Sequence, residues 1–233
     1  MVASQPFPSR PHSPVAPWWH TAAVFLVLMG FSLIGALTAG RGGTFARAPQ
    51  YALVIVMEWA LAAFIWHAAR RRGVRLRDLV GGRWSRATEV LRDIGIAFGF
   101  LIVGGLVLNG LGHVIHAHRP EALRDLLPQT HTEMALWVAM SLTAGFCEEL
   151  IFRGYFQRQF TALTQSLAGG ILLQGVVFGA GHGYQGGKMM FLIAVYGVLF
   201  GLLAHWRRSL RPGMITHGVQ DTLGGLLARY LMR

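Results

Sequence analysis

The stretch Gly145-Phe-Cys-Glu-Glu-Leu-Ile-Phe-Arg153 decides the class of this chain. It lies in an apolar run, 134–156, long enough to cross a bilayer, which takes about 20 helical residues. Placing one carboxylate at hydrocarbon depth costs on the order of 3 kcal/mol. Two adjacent glutamates and an arginine inside such a run therefore mark a functional site, and the rest of the chain must supply their partners.

Similar runs recur on both sides, at 18–40, 51–69, 94–115, 167–182, 189–206 and 212–231. Hydrophobic residues make up 53% of the 233 positions and charged ones only 13%, too little charge to coat a soluble globule. The fold class expected is all-α: a polytopic transmembrane helical bundle of about seven spans, with the chemistry in the last four. The run 167–182 is the shortest, and glycines interrupt its end.

The net charge of +11 comes from arginine, Lys188 being the one lysine. Such a surplus in a soluble protein points to nucleic acid. Here the arginines cluster between apolar runs, at 70–92 and 207–211, and read as topology signals, so no nucleic-acid partner is expected. Both clusters fall on one side of a seven-span bundle. The positive-inside rule makes that side cytoplasmic, with the N-terminus on it and the protein multi-pass in the cell membrane. Three regions follow: a disordered tail at 1–17, N-terminal spans over 18–131 with the basic loop 70–92, and a catalytic helical core over 132–233. Within the loop, 74–91 reads equally as an amphipathic surface helix or a solvated segment. Gly95 and Gly99 form a small-xxx-small pair suited to close helix approach. Cys147, the single cysteine, permits no intrachain disulfide and reads as a small buried hydrophobe.

Three polar clusters fall in separate spans. Glu149 and Arg153 are at i and i+4, share a helix face and can pair. Glu148 points about 100° away and is left uncommitted. Phe178 and His182 lie one turn apart in the next span. His217 and Asp221, again i and i+4, lie in the last. A single helical histidine, or one Glu–Arg pair, is more often a packing feature. Three spans each carrying ionisable groups fit the needs of water-mediated amide hydrolysis: a base, a group that positions water, and donors for the oxyanion.

Glu-Glu-x-x-x-Arg, Phe-x-x-x-His and His-x-x-x-Asp, in that order, resemble the CAAX protease and bacteriocin-processing family of intramembrane glutamic endopeptidases, which includes the Ras-converting CAAX endoprotease. The resemblance covers about 134–231. It implies that Glu148 and His182 activate the hydrolytic water. Glu149 and Arg153 would support the site or contact the peptide, and His217 and Asp221 would occupy the oxyanion positions. Because an ionised Asp221 cannot donate a hydrogen bond, orienting His217 is its expected role. The substrate implied is a peptide or protein: lipidated, a sorting-signal tail or a precursor. Membrane lipids surround it, and no cofactor is expected.

Two other functions compete. A zinc-dependent variant would use Glu148, Glu149, His182 and His217, although the spacing lacks a His-Glu-x-x-His core. A non-catalytic scaffold or bacteriocin-immunity protein would keep the fold without the chemistry. His113, His116 and His118 read as an exposed cluster where the third span leaves the membrane. Glu58 is a further buried acid, able to reach the catalytic cavity or to pair with His67 or an arginine near the membrane surface. Counting from span ends places Glu148 and His217 in the inner half and His182 near the outer end, so a common site requires the fifth span to be displaced or broken.

Overall fold

The computed structural model describes residues 13–38, 46–118 and 125–231, with the side chains of 228–231 left aside. Among these there is no strand. The long helices are α1 (Trp18–Thr38), α2 (Arg47–Arg71), α4 (Ala87–Val114), α5 (His131–Glu149), α8 (Gly187–Arg207) and α9 (Arg211–Leu231). Shorter ones are α3 (Leu76–Val80), α6 (Gln157–Thr164) and α7 (Leu167–Ala180). A π-helical segment, Leu150–Phe156, joins α5 to α6 without a break.

Each expected span coincides with a helix. Among the described residues five are long and apolar enough to cross a membrane, counting α5 through α6 as one; α9 is not among the five, and α7 has only 14 residues. Large apolar side chains point outward on every face, among them Leu26, Val56, Leu106, Leu142, Val176 and Phe191. Lipid is the solvent that such a surface requires.

Local sequence sets the helix starts. Thr130 Oγ1 accepts from the Glu133 N–H at 3.2 Å while Glu133 Oε2 accepts from the Thr130 N–H at 3.0 Å, a reciprocal cap that opens α5. Ser166 caps α7 through the Gly169 N–H at 3.2 Å.

Two arginine-rich loops meet at one end of the bundle. The Leu210 N–H donates to Val80 O, and Arg211 Nη2 donates to Gly81 O at 2.8 Å. Asp93, fully buried, accepts from Arg207 Nη2 at 2.7 Å and from Trp84 Nε1 at 2.9 Å. The same-side placement read from charge therefore holds.

Other expectations need correction. The segment 74–91 is no continuous amphipathic helix. Gly81, at φ +95°, ends α3 after five residues, and the close approach of Arg208 O leaves no room for a Cβ there. Gly95 and Gly99 face open space rather than another helix. Residues 1–12 of the expected tail lie outside the described residues. The tail's last part is ordered: Val15 and Ala16 are buried, and both N–H groups donate to Gln159 Oε1, at 2.7 and 3.3 Å.

Candidate active site

α2 and α5 run parallel. Arg47 meets Glu133 at 4.0 Å, the Tyr51 and Trp137 rings lie 5.5 Å apart, and those of Trp59 and Phe146 lie 5.4 Å apart. α9 crosses the other side of α5 at Gly145 and Gly218, where a Cβ on Gly145 would stand 2.7 Å from Gly218 N. That backbone contact brings Glu148 and Glu149 within reach of His217. The π-helical segment begins at the next residue, with the Gln157 N–H bonded to Phe152 O five residues back. Such bulges often occur at functional sites.

Glu149 lies at the centre. Its Oε1 accepts from Arg153 Nη1 at 2.9 Å and lies 3.2 Å from His217 Nδ1. Arg153 also donates to Gly197 O at 3.4 Å, and its guanidinium carbon lies 4.3 Å from the Phe178 ring and 4.8 Å from the Phe200 ring. The Arg153 side chain has no exposed surface. Of the two expected roles of this pair, support is therefore open to Arg153 and contact with a peptide is not.

Because a carboxylate can only accept, His217 donates Nδ1–H to Glu149. Its Nε2 faces Glu148 Oε2 at 3.6 Å and Asp221 Oδ2 at 3.5 Å. Glu148 is one-fifth exposed, yet its Oε2 is buried without a hydrogen-bond partner. It is the uncommitted carboxylate that the sequence pattern implied.

His182 stands apart. α7 spans about 21 Å and ends at Ala180. His182 follows, half-buried, ahead of a 3-10 turn at Gly183–Gln185. Its Nδ1 donates to Phe178 O at 2.8 Å, which leaves Nε2 with a lone pair in the neutral ring. Phe178 stands between the imidazoles, its ring 5.0 Å from His182 and 6.0 Å from His217. Among the described residues His182 forms no hydrogen bond or ion pair with Glu148 or His217. The sequence-predicted residues thus gather around Glu149 and His217, with His182 one aromatic ring away.

Two residues were not assigned to the site from sequence. Phe200, on α8, flanks both Arg153 and His217, the latter at 5.6 Å between centroids; an apolar phenylalanine in an apolar helix gives no signal. Glu58, 5% exposed, faces inward from α2, and its Oε2 is buried without a partner. His67 is exposed, so it is not the partner of Glu58. The signal of Glu58 was a lone acid in an apolar run.

The Glu-Glu-x-x-x-Arg and His-x-x-x-Asp motifs meet in one interior cluster, and Phe178 of the third motif packs against Arg153. Residues 130–223 match the model of an Rce1-like family. The matching family model is described as type II CAAX prenyl endopeptidase Rce1-like, and the six site residues named from sequence all fall within the matched range. The family is one of proteases. No curated protein and no solved structure matches the chain. Within the Rce1-like domain and the helices around it, no described group of three or more His, Cys, Asp or Glu side chains is arranged to hold a metal ion. His113, His116 and His118 are exposed.

Proposed function

We propose that the chain is an intramembrane endopeptidase that hydrolyses a peptide bond with water activated by Glu148 and His182. The observation that carries the reading is the position of Glu148: a carboxylate with a buried, unpartnered oxygen, 3.6 Å from His217 Nε2, in a domain of a protease family. Glu148 accepts a proton as water attacks the scissile carbonyl, and His182 Nε2 holds the other side of that water. His217 Nε2 faces the developing oxyanion, with Glu149 fixing the ring from Nδ1 and Asp221 orienting it from the opposite side. The proton on Glu148 then passes to the departing amine. Arg153 keeps Glu149 in place from behind.

The substrate proposed is a peptide held at the membrane by lipidation or by an apolar precursor or sorting segment, since the cluster lies among spans. The N-terminus is assigned to the cytoplasmic side, where the basic loops at 70–92 and 207–211 meet. The test compares peptide termini in membranes from cells carrying the wild-type chain or Glu148→Gln. A terminus that disappears with the substitution identifies activity and substrate together. Identical termini with both chains would overturn the reading. Retention of that activity in chelator separates this mechanism from the zinc variant.

A further inference from the structure

His182 sits on a turn that α7 alone does not fix. The last turn of α7 closes on itself through Gly181 N–H to Val177 O and His182 N–H to Gly179 O. The carbonyls that end a helix otherwise lack partners, and in an apolar surrounding each needs one. The partner for Ala180 O comes from another span. Ser32, in α1, donates its hydroxyl to Ala180 O at 2.6 Å and accepts from the Gly183 N–H at 3.0 Å. One side chain therefore holds the peptide groups on both sides of His182.

The fit is close. Ser32 is 8% exposed, and a Cβ on Gly183 would stand 2.7 Å from its Oγ, so the glycine is what lets the turn approach α1. One helical turn further, Gly35 packs against Tyr184, where an added Cβ would meet Tyr184 Cβ at 3.4 Å. The Tyr184 ring in turn lies 6.0 Å from that of His182. α1 lies wholly outside the matched range 130–223, and its sequence carries no motif.

We infer that Ser32 is a positioning residue for His182: its hydroxyl locks the turn so that the imidazole, already tied through Nδ1 to Phe178 O, has one direction for Nε2. The inference rests on the role proposed above for His182. Without the hydroxyl, Ala180 O and Gly183 N–H lose their shared partner. The turn then samples other conformations, and His182 leaves the water position for part of the time.

Ser32→Ala in the full chain tests this by two readings. The first is hydrogen exchange of the segment 179–186 in detergent, which needs no activity. The second is the rate at which membranes form the peptide terminus that depends on Glu148. Exchange is expected to rise on the order of tenfold. The rate should fall about ten- to a hundredfold, as small displacements of a reacting group do, with Tm nearly unchanged. Ser32→Cys, which keeps the size and a weak donor, should fall between the two. Unchanged exchange overturns the clamp. Faster exchange with an undiminished rate, while Glu148→Gln and His182→Ala are inactive, overturns the positioning role and leaves the endopeptidase reading standing. A full rate in His182→Ala removes His182 from the mechanism and this inference with it.

Discussion

His217 Nδ1 lies 3.2 Å from Glu149 Oε1, the same oxygen that accepts Arg153 Nη1 at 2.9 Å. One carboxylate oxygen thereby ties the arginine of its own helix to the histidine of α9. The second glutamate of the adjacent pair is the structural centre, and the first keeps a buried oxygen without a hydrogen-bond partner.

Breaking that tie should cost more than removing it. Arg153→Met removes one member of a buried ion pair and leaves Glu149 with His217 as its partner, a loss that in proteins costs about 3–5 kcal/mol. Arg153→Met with Glu149→Gln removes both charges and should recover much of that stability. Detergent melting of the two single variants and the double one makes the cycle. Additive losses would mean that the pair is not coupled.

Removing Glu58 should have the opposite effect on stability. It is buried in α2 with an unpartnered oxygen, and burying a polar group without a hydrogen bond costs about 1–3 kcal/mol by protein mutational data. Glu58→Leu should therefore raise Tm. A lower Tm would mean that Glu58 has a partner that stabilises the fold.

The crossing of α5 and α9 should tolerate no side chain. Gly145→Val pushes against Gly218 N and Met214 O, where even the first carbon would stand at 2.7 and 2.8 Å. Overpacking of this kind costs about 1–3 kcal/mol, and here it also separates Glu148 from His217. Loss of activity with a lowered Tm is expected, whereas Gly99→Val, on an open face, should leave activity intact.

Asp221 is expected to orient and not to donate. Its Oδ2 lies 3.5 Å from His217 Nε2, and its side chain is 37% exposed. Asp221→Asn keeps an acceptor oxygen and adds a donor, so the rate should stay within about tenfold of wild type, the weight of one hydrogen bond. Asp221→Ala should lose more. An Ala variant as active as wild type would remove the orienting role.

The helical architecture was legible because it follows from one-dimensional quantities. Apolar run length sets each span, and arginine placement correctly put 70–92 and 207–211 at one end. The Glu149–Arg153 and His217–Asp221 pairs were legible for the same reason, since i and i+4 neighbours meet on any helix. Interactions between helices were not. Gly95 and Gly99 have the spacing of a packing pair yet face open space, because spacing does not say which face meets a neighbour. A break in the fifth span was foreseen as a requirement, but the partner that Ala180 O finds, Ser32, is a residue 148 positions away.

By itself the sequence determined that this chain is a bundle of apolar helices carrying acid, imidazole and guanidinium groups on three of them. These are properties of composition and of the helical repeat. Only the tertiary structure decided that Glu149 joins Arg153 to His217, that Phe178 separates the two histidines, and that α1 holds the turn at His182. Each depends on how closely two helices approach, and that distance is set by the shapes of both surfaces together.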